Sequence, residues 1–466
     1  MMSKKLHNIK IAYIGGGSRG WAWGFMKDLA NDGSLGGEVR LFDIDIAAAR
    51  ANEIIGAKIN AHPDAKSQWQ YVTAVTRDEA LTDADFVVIS ILPGTFDEME
   101  SDVHLPEQYG IYQSVGDTVG PGGLVRSLRT IPMMVEIARD IARFSPKAWV
   151  INYTNPMTLC IRTLYDTFPE IRAFGCCHEV FGTQKMLASM VATETGHEEI
   201  PREEIRTTVL GINHFTWLTE ASYKGYDLFP MYGEYVERYY ETGYTGGEDN
   251  NWMNTSFHCA NRVKFDLYRR YGSIAAAGDR HLAEFMPPWY LKDPATVEHW
   301  KFGLTKVAWR REELKGRLAR SKRLLSGDEE IDLKPSGEEG LLLIRALLGL
   351  GDLISNVNIP NRGQIPNLPI DAVVETNALF HRDGIVPLMA GAVPDSILPL
   401  VHRHVCNQEN TLTAAKTCDF PLALCTFLHD PLVTLNPHEA EKLLRHMLYN
   451  TLRYLPEGWR KYAVES

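Results

Sequence analysis

The stretch Ile11–Trp21, IAYIGGGSRGW, constrains the fold of this chain more than any other. An apolar run ends in Gly15-Gly16-Gly17-Ser18-Arg19-Gly20, which satisfies G-x-G-x-x-G, and the helix-compatible WAWGFMKDLAND follows. Glycines here let backbone amides approach a pyrophosphate, and the N-terminus of the next helix favours an anion. A lone match is weak, so the context decides. The next strand signal, EVRLFDID, carries Asp43 at about the 20-residue spacing at which an acid reads the ribose hydroxyls, favouring NAD over NADP. The cofactor candidates are Gly15, Gly17, Ser18, Arg19, Gly20 and Asp43, with Arg19 as a phosphate partner. The alternative makes Asp43 a solvated strand end and gives its role to Asp45.

The first third of the chain alternates strand and helix signals, which implies an α/β, dehydrogenase-like Rossmann fold with a doubly wound parallel sheet. Two loops leave strand C-termini, where ligands bind in such sheets: ISILPGTF with Pro93, and INYTNPM with Asn152 and Asn155. Between them VGDTVGPGGLVRSLR, with Asp117, Arg126 and Arg129, reads either as a loop and helix start or as a flexible lip over a nicotinamide. After about residue 200 the pattern changes to a strand-turn-strand segment, REEIRTTVLGINHFTWLTEASYKGYDL, and then to a helix-rich remainder. At 466 residues two domains are expected: a nucleotide-binding domain over 1–200 and a second, α+β domain over 201–466 for substrate, metal and oligomerisation. YETGYTGGEDNN reads as a mobile loop.

The formal net charge of -11, without a basic block, argues against nucleic-acid binding. No apolar run approaches the ~20 residues of a membrane helix. Seven cysteines, odd in number and sparse, make a disulfide framework improbable and suggest a reducing cytoplasm.

FGCCHEVFG, Phe174–Gly182, crowds Cys176, Cys177, His178 and Glu179 together, and GINHFTW places His214 in a turn. A thiolate and a distant imidazole would leave positions open on a divalent ion, as a catalytic metal needs, and tolerate Mn²⁺, Co²⁺, Ni²⁺ or Fe²⁺. Buried structural cysteine and histidine is the plainer reading of the same residues. FHCAN (His258, Cys259) and HRHVC (His402, His404, Cys406) are hardly worse metal candidates on chemistry.

KIAYIGGGSRGW, GDTVGPGG, INYTNPM, GCCHEV, GINHFTW, GDRHLAEFMP and NVNIPNRGQIPNLPIDAVVE, in that order, resemble glycoside hydrolase family 4, the NAD- and metal-dependent glycosidases. The resemblance covers about residues 9–375 and implies a dehydrogenase-like domain with a second domain, usually in homodimers or homotetramers. It implies that Cys177 and His214 hold the metal, commonly Mn²⁺, and that Asn155 touches substrate hydroxyls. It also implies transient oxidation of sugar C3 by NAD with metal assistance, C2 deprotonation, elimination at C1, water addition and return of the hydride. The base would be Asp279 or Tyr271, and the acid His178, where phospho-α-glucosidases carry an aspartate.

The tetrad CHEV looks like the α-galacturonidase form, distinct from the CHSV of plain α-glucosidases and α-galactosidases. A uronic-acid substrate needs a cation for its carboxylate, and Arg280, His281 and Arg362 are the candidates, each equally readable as a turn salt bridge. Within the family, a neutral α-galactosidase or α-glucosidase and an α-glucuronidase are the competitors. Outside it stand a hydroxy-acid dehydrogenase and a non-catalytic NAD-binding regulator.

Overall fold

The computed structural model describes residues 6–196, 198–244 and 259–464. The loop expected over YETGYTGGEDNN falls largely outside these residues, as does His258. Parallel strands β1 (Leu6–Ile14), β2 (Leu35–Phe42), β3 (Trp69–Ala74), β4 (Phe86–Ile89), β5 (Trp149–Asn152) and β6 (Arg172–Gly175) stand in the order β3-β2-β1-β4-β5-β6. This is the dinucleotide-binding order, whose ligand crevice opens where the order reverses between β1 and β4. Fully buried β4, FVVI, shows why these strands are continuous apolar runs: helices cover both faces.

A second, antiparallel sheet is built from β7 (Ile205–Ile212), β8 (Phe215–Tyr223), β9 (Tyr226–Asp227) and β10 (Ile274–Ala275). Three strands then return to the first sheet: β11 (Leu353–Pro360) pairs antiparallel with β6, β12 (Val373–His381) with β11, and β13 (Gly384–Pro387) with β12. The helix-rich reading of the remainder misses these strands. NVNIPN is rich in Asn and Pro, which are depleted in strands. It is extended here because its asparagines find buried partners: Asn356 Nδ2 donates to Glu375 Oε1 at 2.7 Å and Asn358 Nδ2 to Met157 Sδ at 3.3 Å. One apolar core accordingly runs from β1 and β2 to Ile344, Val357 and Phe380. None of the seven cysteines is in a disulfide, and no helix among the described residues is long and apolar enough to cross a membrane.

Two buried ionisable side chains fix the elements around Asp117. The helix Gly120–Phe144 brings in Arg129, 0% exposed, whose Nη1 donates to Asp102 Oδ1 at 3.1 Å and whose Nε donates to Pro93 O at 2.9 Å. Pro93 thus serves as a backbone acceptor that ties the β4 loop to this helix. Glu284 Oε1 accepts from Val115 N at 2.7 Å and Gly116 N at 2.8 Å, and burial pushes its carboxyl up to about 8.

Arg129→Met leaves Asp102 a buried carboxylate without its partner, and should lower stability by about 3–5 kcal/mol in urea unfolding. Glu284 holds a proton in the fold that the unfolded chain releases near pH 4. Its contribution to stability is therefore fully present below that pH and is lost as pH rises through about 8. Glu284→Gln should flatten the fall in Tm between about pH 4 and pH 8, which a melting series would show.

Candidate active site

The glycine turn is closed by its own strand neighbours. Gly15, at φ +97°, lies so close to β4 that an added Cβ would sit 2.0 Å from Ser90 O. Gly17 N donates to Asp43 Oδ2 at 2.9 Å, and Asp45 N to Asp43 Oδ1 at 2.9 Å, so Asp43 holds the turn. Arg19 lies over Asp45 at 4.0 Å, and Ser18 N donates to Gly15 O. Asn52 escaped the sequence reading. Its buried amide donates to Gly16 O at 2.7 Å and Ser18 O at 2.9 Å and accepts from Trp23 Nε1, bracing the turn from the helix Ile46–Asn60. At Gly20, Nη1 of Arg317 lies 2.4 Å from where a Cβ would stand, which places a cation from the helix Val307–Ser326 at the mouth of the turn.

The loops named from sequence meet around His214. Asn213 and His214 form the two-residue turn between β7 and β8, with His214 at φ +65°. Its Nδ1 lies 2.9 Å from Thr118 Oγ1, and Thr118 Oγ1 donates to Asp117 Oδ1 at 2.7 Å. The imidazole of His281 stacks on that of His214, centroids 3.7 Å apart. Asp117, His214 and His281 offer ligand atoms within 4.8 Å of one another. That grouping differs from the expected Cys177–His214 pair: Asp117 and His281 join His214, and Cys177 is outside the three. Cys177 is buried beside the side chain of Asn213, the residue before His214.

Charge in this space is dense. Burial would raise the carboxyl of Asp117, but Arg126, then His214 and His281, hold it well below the usual range. Glu179 behaves alike: its Oε2 accepts from Gly278 N at 2.6 Å, its Oε1 lies 3.6 Å from His281 Nε2, and His281 and His178 offset its burial. Burial, with His214 alongside, pushes His281 down to about 3. Burial and then Glu375 and Glu179 push the Cys177 thiol well above its ordinary value. Asn155 Nδ2 lies 3.4 Å from Asp117 Oδ2, and Arg126 Nε donates to Asn155 O at 3.1 Å. Asn155 Oδ1, Asn213 Oδ1 and His281 Nδ1 are buried with no hydrogen-bond partner. Unpaired buried polar atoms of this kind are candidate ligand contacts.

The other sequence candidates are each held by partners of their own. His178 caps the helix Glu179–Thr195 with its ring half exposed, 3.1 Å from Glu338 Oε1, which raises it to about 9. Asn152 is buried and bonds Thr154, shaping the β5 loop rather than projecting from it. Asp279 accepts from Val263 N at 3.2 Å and Lys264 N at 3.1 Å at the start of the helix Arg262–Tyr271. Tyr271, at that helix's end, meets Trp217 edge-on. Arg280 donates to Thr305 Oγ1 and accepts from Ser114 Oγ through its carbonyl. Arg362 is apart, an exposed side chain paired with Asp371, which is the turn salt bridge of the alternative reading. The lip reading of VGDTVGPGG meets a segment largely buried and anchored by Glu284 and Gln113. Among the alternative metal residues, His404 bonds Phe285 O, His402 lies by Cys406 on one helix, and Cys259 by Asn261. Sequence reasoning also missed Glu375, which accepts from Asn213 Nδ2 and Asn356 Nδ2 and so steadies the His214 turn.

Residues 10–193 match the Family 4 glycosyl hydrolase description and residues 209–433 that of its C-terminal domain. An alpha-galacturonidase of Thermoanaerobacterium saccharolyticum is 61% identical over 457 residues, 98% of either chain. The crystal structure of lplD from Bacillus subtilis superposes with a TM-score of 0.91 at 52% identity, over 95% of this chain and all of that one. A 6-phospho-alpha-glucosidase from gut microorganisms, in complex with NAD and Mn²⁺, shares the fold with a TM-score of 0.78 at 21% identity, over 97% and 99% of the two chains. This chain belongs to family 4 of the glycosyl hydrolases.

Proposed function

We propose that this glycosyl hydrolase is an α-galacturonidase that cleaves short α-galacturonides, using NAD and a divalent ion, commonly Mn²⁺. The near full-length 61% identity with a protein bearing that name carries the reading. The arginines around Asp117 support an acidic substrate over a neutral one.

The residues fit both groups. The braced glycine turn with Asp43 suits NAD, and the ligand-type atoms of buried His214 and His281 and half-buried Asp117, with His281 Nδ1 unpartnered and Cys177 adjacent through Asn213, suit a divalent ion. Bound NAD supplies hydride uptake and return at sugar C3, and the ion supplies Lewis-acid polarisation of the neighbouring oxygens. The chain's own residues do the rest. Asn155, fixed by Asp117 and Arg126, presents its free Oδ1 to a sugar hydroxyl. His178, kept cationic by Glu338, holds a proton at the rim for the leaving oxygen. Asp279 opens the short helix that carries Arg280 and His281, which favours it over Tyr271 as the C2 base. Nucleotide binding falls in residues 1–200, while sugar and metal are shared between Asp117, Asn155, Cys177 and His178 of that part and His214, Asp279 and His281 of residues 201–466. A homodimer or homotetramer in a reducing cytoplasm completes the proposal.

Hydrolysis of α-1,4-digalacturonate in D₂O with NAD⁺ and Mn²⁺ should place deuterium at C2 of the product, read by proton NMR; activity confined to neutral α-galactosides would refute the reading. Asp279→Asn should cut the rate by roughly 10²- to 10⁴-fold, as loss of a general base does, while Tyr271→Phe stays close to wild type. For the metal, His214→Asn and Cys177→Ser should each weaken Mn²⁺ binding, followed by electron paramagnetic resonance, by about tenfold or more. Intact binding in Cys177→Ser with loss in His281→Asn would instead assign the ion to His214, His281 and Asp117.

A further inference from the structure

Of the guanidinium groups whose charge is felt at Asp117, two are already spent on the protein. Arg126 donates through Nε to Asn155 O, and Arg280 donates to Thr305 Oγ1. The third belongs to Arg310, in the first turn of the helix Val307–Ser326, and its Nε is buried with no hydrogen-bond partner. The backbone keeps Arg310 at this site. Thr305, which accepts from Arg280, donates its N–H to Ser114 O at 2.8 Å, so the chain entering the helix is stitched to the loop that carries Asp117. Burial lowers the Arg310 guanidinium while Asp117 opposes the change, and Arg126 and Arg280 are its cationic neighbours.

A buried guanidinium N–H without an acceptor is costly, and it is tolerated where a ligand supplies the acceptor. The acceptor that matches a planar fork is a carboxylate. We infer that Arg310 receives the C6 carboxylate of the uronic acid and thereby sets the preference for an acidic over a neutral sugar. This rests on the galacturonidase reading and adds to it the residue that selects the substrate. Arg280, bound to Thr305, positions the strand of chain that delivers Arg310.

The test is calorimetric binding of galacturonate and of galactose to the Mn²⁺- and NAD⁺-loaded protein, for the wild type, Arg310→Gln and Arg310→Lys. NAD⁺ affinity, followed by fluorescence, serves as the check on folding. Arg310→Gln should weaken galacturonate binding about 10- to 100-fold, the range for a charge-assisted hydrogen bond, with galactose and NAD⁺ binding little changed. Arg310→Lys should fall between, since it keeps the charge and loses the fork. Should Arg310→Gln fail to fold, Arg310→Lys alone decides: a selective loss for galacturonate supports the assignment and an unchanged ratio of the two sugars overturns it. A wild type that prefers galacturonate together with an Arg310→Gln variant that keeps that preference removes Arg310 and leaves the galacturonidase reading standing. A wild type that binds galactose as tightly as galacturonate removes that reading itself.

Discussion

The site depends on keeping ionised groups away from water without leaving any of them alone. Asp117 and Glu179 are carboxylates held below their usual range although both are partly withdrawn from water, and the groups around them make that tolerable. Moving such charges out of water costs several kcal/mol each, and only close partners offset it. The consequence is positional. Arg126 must reach Asp117, Arg129 must reach Asp102, and Glu179 must take the amide of Gly278, so the helices and loops that bear them have little freedom to shift.

These bonds join parts of the chain that are far apart in sequence. The loop before the helix Gly120–Phe144 is held by Glu284, and the turn at His214 by Glu375 and Asn356 from β12 and β11. The β11–β13 segment extends the sheet that begins at β1, which lets residues near 356 and 375 brace a turn at 213. The nucleotide turn is likewise held by Asn52 from a different helix, and Arg317 meets it from residue 317. The glycine turn and the His214 site thus share a frame, as the proposed transfer of hydride between cofactor and sugar requires.

Much of this was readable in order. The G-x-G-x-x-G turn with Asp43 is legible because its chemistry is local: glycine backbones and one acid at a fixed spacing. His214 is legible as a histidine in a short turn between apolar strands. Asp117 was visible within VGDTVGPGG but not its place beside His214 and His281, since the contact spans 97 and 164 positions and no periodicity encodes it. Arg310 was not legible at all. It sits in a helix rich in basic residues, VAWRREELKGRLARSKRLLS, where one arginine looks like the others until burial singles it out. Arg362, in a conspicuous motif, pairs with Asp371 at the surface, a contact that the motif does not announce.

The sequence by itself determined the α/β frame, the nucleotide turn and the family, because those follow from hydrophobic period, glycine geometry and a set of short motifs in fixed order. Only the tertiary structure decided which polar residues converge. Whether Asp117 or Arg362 faces a ligand depends on desolvation and on the partner waiting at the end of the side chain. Those are properties of packed space, where strands β6, β7, β11 and β12 bring distant residues within hydrogen-bonding reach.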